Sequence, residues 1–248
     1  ETFVLLEPLQ KYALLEFNPA QDSHISMLRR LWGSKYPEGM FGLKSQRWLN
    51  FGFQTPTPVT DFRGAGMLGL RNIVYVAERY PETMDRFDDF GLLYAACCLN
   101  VTQALVYHLR IHTASGYDTK QHLLDPSAFN NMNSSKPEME PDQKEWVESM
   151  KGFAGLVLNH QASTSSSMAS LEIFDDLVGA NMCLLTHTWE ELVRKNKTRN
   201  IDPPTIMDFP QALFSSRCNL MFLLSHKPST IMELMRWIDD LEEYDLIS

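Results

Sequence analysis

The sequence predicts an all-α fold, a single compact multi-helix domain with long buried central helices. Three observations predict it. Apolar residues recur at three- and four-residue spacing along most of the 248 residues. No convincing run alternates apolar and polar residues as a half-buried strand would. Two stretches, Asp85 to Thr113 and Leu171 to Asn196, carry apolar stripes fit for helices buried on most sides.

The elements follow in order. Phe3 to Phe17 is a first helical stretch. Asp22 or Ser23 can cap a second helix through Leu28, Leu31 and Trp32, with Gly33 placed to end it. Gly33 to Gly66 is rich in Gly, Pro and Thr, and reads as a structured loop with at most a short helix near Leu43 to Phe51. From Met67 the helical period returns through Leu70, Ile73, Val74 and Ala77, and Pro81 closes it. Phe90, Leu93, Tyr94, Cys97, Val101, Ala104, Leu105 and His108 then form one stripe of a single central helix over Asp85 to Thr113.

Gly116 to Asp142, with three prolines, reads as a long mobile loop. Trp146 to Asn159 is helical, and the Ser-rich run Ala162 to Ser170 reads as a flexible turn. The second long helix carries Ile173, Phe174, Leu177, Leu184, Leu185 and Trp189. Asp202-Pro203-Pro204 breaks the chain. Asp208 can cap the next helix, with Pro210 in its tolerated first turn. Lys227-Pro228-Ser229 turns into a last helix, Ile231 to Asp240. Residues 1–248 read as one domain with its core at about 20–225.

Composition bounds the function. A hydrophobic content of 44% excludes disorder over the whole length. Lys and Arg number 22 against 31 Asp and Glu, a net charge of −9. Such a chain has no general attraction for phosphate backbones or anionic lipid, so nucleic-acid binding is not its main activity. Cys97, Cys98, Cys183 and Cys218 form no C-x-x-C pair and read as buried small hydrophobes in a reducing compartment. No apolar run approaches the ~18 residues of a membrane span. The chain opens at Glu1 without a signal-like segment, as a domain trimmed from a longer sequence would. The glycosylation pattern at Asn100 falls inside an apolar helix, which argues against secretion. The expected compartment is cytoplasmic.

Other constellations carry little. His108 and His112 share a helix face, but no third ligand or zinc-protease Glu accompanies them, so no metal site is expected. Ser163 to Ser167 lacks a nucleophile elbow. Asp239 to Asp245 reads as a solvated acidic helix end.

The informative segment is Trp48 to Tyr80. Gly64, Gly66 and Gly69 match G-x-G-x-x-G, but that loop needs a strand before it, and Pro56 and Pro58 stand there instead. Two readings stay open. In the structural one, Trp48, Phe51 and Phe53 anchor the loop, Asp61 caps a turn or pairs with Arg63, and the glycines permit unusual φ or close approach. In the functional one, Arg63 stands on a loop leading into a helix, where its planar, permanent charge could serve a phosphoryl-transfer partner in trans.

Trp48, Gly52-Phe53-Gln54, Thr60-Asp61-Phe62-Arg63-Gly64 and Gly66, then Leu68 and Leu70, resemble the signature of the ELMO domain, in its ELMO-domain-containing branch. Asn100-Val101-Thr102, Ser170 to Glu191 and Met207-Asp208-Phe209 resemble later segments of that family. The resemblance implies a helical domain that activates GTP hydrolysis on Arf and Arf-like GTPases, with Arg63 as the arginine finger. Asp61 and Gln54 would hold the loop, or Gln54 would help orient water. Trp48, Gly64 and Gly66 would support it. GTP and Mg²⁺ would be carried by the partner, leaving this chain without a cofactor of its own and recruited peripherally to organelle membranes through that partner. The scaffold branch, which joins Dock-type exchange factors in Rac signalling, lacks this arginine and is the alternative.

Overall fold

Local sequence sets where each helix starts and stops. The computed structural model describes residues 2–111 and 143–243, and these are helices and connections with no strand among them. The predicted loop Gly116 to Asp142, His112 and Asp245 lie outside the described residues. The first two helices are α1 (Thr2–Leu14) and α2 (Asp22–Lys35). Two short 3₁₀ turns follow, Gln46–Phe51 and Pro58–Gly64, where at most one short helix was expected. Then come α3 (Gly66–Arg79), α4 (Pro81–Asp89) and α5 (Tyr94–His108). The second half holds α6 (Gln143–Thr164), α7 (Ala169–Thr198), α8 (Phe209–Ser225) and α9 (Ile231–Glu243).

Several boundaries differ from the sequence reading. The single helix expected over Asp85 to Thr113 is two, α4 and α5, bent by 112°. Gly91 takes φ +68°, a conformation glycine tolerates, and Leu92 N–H returns to Phe87 O at 2.9 Å. The apolar period on either side of the bend happens to stay in phase, which hid the break. Leu93, expected in the stripe, faces solvent. Gly33 does not end α2, which runs on to Lys35 before Tyr36 N–H closes on Trp32 O.

The Asp208 side chain does not cap α8. It turns back to accept from Thr205 N–H at 2.7 Å, completing a capping box on a 3₁₀ turn at Ile206–Asp208. The Ser-rich turn is pinned: Ser166 Oγ donates to Glu172 Oε1 at 3.0 Å, and His160 Nε2 meets Glu172 Oε2 at 2.8 Å. Cys97 and Cys98 are buried as expected, but Cys183 and Cys218 are only partly so.

Two helices organise the core. Helix α3 packs on α1, α2, α4, α5 and α7. Helix α7, about 45 Å long at 1.5 Å per residue, touches α3, α5 and most of the rest. Leu70, Ile73, Phe174, Leu177, Leu184 and Leu185 make a fully buried seam along them. Helices α6 and α8 approach closely because residue 152 is glycine. A Cβ there would stand 1.9 Å from Leu224 O. No single helix among the described residues is long and apolar enough to cross a membrane.

His108 fastens the end of α5 to α6. Its Nε2 lies 2.9 Å from Ser149 Oγ, and its carbonyl accepts from Trp146 Nε1 at 2.7 Å. Burial first, then the nearby Arg217 and Arg110 charges, push its imidazole down to about 3. The unfolded chain protonates His108 near pH 6.5, so its neutral burial favours folding above that pH and this support is lost as pH falls toward the folded value.

Two predictions follow from this packing. Acidification from pH 6.5 to 4.5 should cost about 2–3 kcal/mol through His108. In His108→Gln, acid melts should lose this part of the slope. Gly152→Ala should lower stability by about 1–3 kcal/mol, read as a fall of several degrees in the melting temperature, because backbone rather than a flexible side chain must move.

Candidate functional site

The segment between α2 and α3 is held from beneath by aromatic rings. Trp48 is fully buried, with Trp32 edge-on at 5.0 Å, Phe51 at 5.3 Å and Phe53 at 5.7 Å. Phe53 meets Phe62 edge-on at 5.9 Å, and Phe62 meets Phe17 at 6.0 Å. This chain of rings runs from α2 to the residue just before Arg63. Edge-to-face pairs each add about 0.5–1.5 kcal/mol beyond area burial, so the segment is stiff. Trp48 Nε1 donates to Gly42 O at 2.9 Å, which satisfies its one polar atom.

Glycine is required at two turns of this segment. Gly52, at φ +82°, ends the first 3₁₀ turn, and a Cβ there would meet Tyr94 N at 2.4 Å. Its carbonyl instead accepts from Ala96 N–H, supplying one of the unpaired donors at the start of α5. Gly66, at φ +54°, opens α3 against the end of α1, where a Cβ would meet Ala13 O at 2.4 Å. Next to it Met67 N–H donates to Leu15 O at 2.8 Å. The entry to α3 is thereby tied to α1.

Asp61 closes the loop. One carboxylate oxygen accepts from Gln54 N–H at 2.8 Å, and the other lies 3.0 Å from Thr60 Oγ1. The acid therefore caps the turn and does not pair with Arg63. Gln54 is held by its main chain, and its side chain is exposed.

Arg63 stands apart. Phe62 and Ala65 beside it are buried, whereas Arg63 and Gly64 are exposed. Among the described residues the Arg63 guanidinium, with its five donors, has no hydrogen-bond, ion-pair or ring partner, and the residue is exposed. Gly64 leaves room for the half-buried Gln103 of α5, whose amide nitrogen would stand 2.0 Å from a Cβ at 64. All six site residues picked from the sequence thus lie in one segment: Trp48 beneath, Gln54 and Asp61 bonded across it, Gly64 and Gly66 at its end, Arg63 on its surface. Gln103 was not anticipated, and nothing in its own helix period marks it.

Behind the loop, α3 is anchored by a partly buried ion pair. Arg71 Nε lies 2.8 Å and Nη2 2.5 Å from Asp175 Oδ2 on α7. Asn72 Nδ2 donates to Asp175 Oδ1 at 2.8 Å, and Thr102 Oγ1 on α5 meets Asn72 Oδ1 at 3.1 Å. Tyr75 donates to Asp176 beside it. Burial pushes the Asp175 carboxyl up to about 6 while Arg71 opposes that rise, so the pair is ionised at neutral pH. A sequence signal existed for this network. Asp175 interrupts the apolar spacing of Leu171, Phe174 and Val178.

Asp61→Ala should lower stability by about 1–3 kcal/mol, since it orphans Gln54 N–H. Arg63→Ala should stay within about 0.5 kcal/mol of the parent, because no partner among the described residues is lost. Thermal melts of the two variants check both.

Comparisons with known proteins give the family. The family model described as ELMO/CED-12 family matches residues 7–213. Human ELMO domain-containing protein 2 is 32% identical over 115 residues, covering 40% of this chain and 39% of the relative. The mouse protein of the same name is 34% identical over 94 residues, covering 35% and 32%. ELMO domain-containing protein C of Dictyostelium discoideum is 30% identical over 91 residues, covering 36% of this chain and 15% of the relative. The chain thus matches well under half the length of each of these relatives. No solved structure matches. Relatives named ELMO domain-containing protein 2 are consistent with the ELMO-domain-containing branch, and the chain belongs to the ELMO/CED-12 family.

Proposed function

We propose that this chain activates GTP hydrolysis by a small GTPase of the Arf or Arf-like class, lending Arg63 as a finger in trans. One observation carries the reading: a cation with no partner among the described residues stands on a loop whose rings and turn-capping carboxylate are pinned. Asp61, the carboxylate two residues before Arg63, engages both of its oxygens elsewhere.

The mechanism needs little from this chain. The partner holds GTP and Mg²⁺ and positions the attacking water. Arg63 reaches the phosphates and neutralises charge that grows on the bridging and terminal oxygens in the transition state. A stiff loop makes the donors available without reorganisation, which is where such stabilisation gains its size. Asp61 and the Gln54 main chain hold the loop, and the Gln54 side chain is not needed for that task. Membership of the family also favours small GTPase-related partners, and recruitment to membranes would follow the partner.

Single-turnover GTP hydrolysis across a panel of Arf and Arf-like GTPases tests the reading. The parent should accelerate at least one member, and Arg63→Ala should lose about 10³-fold or more of that acceleration at unchanged stability. Arg63→Lys should be strongly impaired, because an ammonium cannot reproduce the planar fork. Gln54→Ala should retain activity. Absence of acceleration by the parent on every member, with stable binding to a Dock-type exchange factor, would instead place the chain with the scaffolds.

A further inference from the structure

Glycines stand at 52, 64 and 66 of the segment that carries Arg63, and the fold accounts for the first and the last. Gly52 and Gly66 have positive φ, and a Cβ on either would run into backbone. Gly64 differs. Its φ lies outside the positive range, so its backbone conformation is open to other residues. The atoms nearest to a Cβ at 64 all belong to the Gln103 carboxamide, the far end of a flexible side chain that can swing aside. Neither backbone strain nor core packing therefore calls for glycine at 64, and Gly64 is exposed beside Arg63.

Gln103 is unaccounted for in the same way. Its neighbour Thr102 points into the core and bonds to Asn72, which fixes this turn of α5. The Gln103 amide nitrogen rests 2.0 Å from where a Cβ of Gly64 would stand, one residue from Arg63. The carboxamide makes no hydrogen bond among the described residues, and the residue is only half-buried. Its two N–H donors and its acceptor oxygen are thus open to another molecule. Tyr107, one turn further along the same face of α5, is 42% exposed.

We propose that Gln103 and the bare backbone at Gly64 form a docking contact for the GTPase. The Gln103 carboxamide pairs with a main-chain peptide group at the rim of the partner's nucleotide pocket, and Gly64 lets that rim come close. The contact rests on the reading of Arg63 as a finger. An arginine enters a nucleotide pocket only if the rim of that pocket covers the residues beside it, and Gly64 and Gln103 are beside it. A carboxamide repeats the donor and acceptor of a peptide group, so it suits exposed main chain. Gln103 is then a positioning residue, which sets how tightly the partner docks, while Arg63 supplies charge to the transition state. The two roles separate kinetically. A contact made equally before and in the transition state changes half-saturation alone.

Single-turnover GTP hydrolysis by an Arf-class GTPase, followed at rising concentrations of this chain, tests it. Gln103→Ala should raise the half-saturating concentration about three- to tenfold and keep the limiting rate of the parent. Gly64→Ala should do the same, because its Cβ displaces the carboxamide and holds the rim away. Arg63→Ala should instead lower the limiting rate. The Gln103 and Gly64 variants should melt with the parent. Unchanged half-saturation in either variant, or a change matched by a lowered melting temperature, would overturn the docking contact and leave the finger standing. So would a fall in the limiting rate of Gln103→Ala at constant half-saturation. Failure of the parent to accelerate any member of the panel would overturn the finger, and the contact with it.

Discussion

The Arg71–Asp175 pair is the contact on which the position of the site depends. It joins α3, which starts directly after the Arg63 loop, to α7, the longest helix of the fold. Asn72 and Thr102 extend it to α5. A pair of this kind is not strong evidence for stability, because the Asp175 carboxylate is taken out of water while Arg71 stays partly exposed. Its consequence is geometric. Leaving the buried Asp175 charge unpaired costs several kcal/mol, so α3 has one register against α7 and the loop before α3 has one place. The pair sets position and the surrounding Leu, Ile and Phe side chains supply the burial energy.

From this anchor the loop is built by exclusion. Gly66 must approach the carbonyls at the end of α1, Gly52 must pass beneath α5, and Phe62 must fill the ring cluster. Asp61 satisfies a main-chain donor in place of the arginine two residues on. With those demands met, Arg63 and Gly64 are left at the surface. The arrangement gives a stiff mount and an unsatisfied cation. Such a combination contributes little to the stability of the chain and suits a function that needs charge delivered to another molecule.

Much of this was legible before the structure. Helix period located α3, α7 and α8, because their apolar faces are long, and Gly or Pro marked the ends of α3 and α8. The ring-and-glycine motif located the site segment because its residues are consecutive. The α4–α5 bend was not legible. A left-handed glycine can bend a chain by 112° without disturbing the apolar count on either side. The fate of Asp208 was also hidden, since the same residue can serve the helix ahead or the turn behind, and Thr205 decided it. Gln103 was missed because its role arises from a neighbour distant in sequence. Whether Asp61 serves Arg63 or Gln54 is a question of three-dimensional reach, and only the folded loop answers it.

The central claim is that Arg63 stabilises a transition state in another protein. The most direct measurement is complex formation with an Arf-class GTPase loaded with GDP and aluminium fluoride, which mimics the transferring phosphoryl group. The account predicts a stable stoichiometric complex with the parent, and its loss in Arg63→Ala while the weaker association with the GTP-bound partner persists. A complex of equal stability with Arg63→Ala would contradict it.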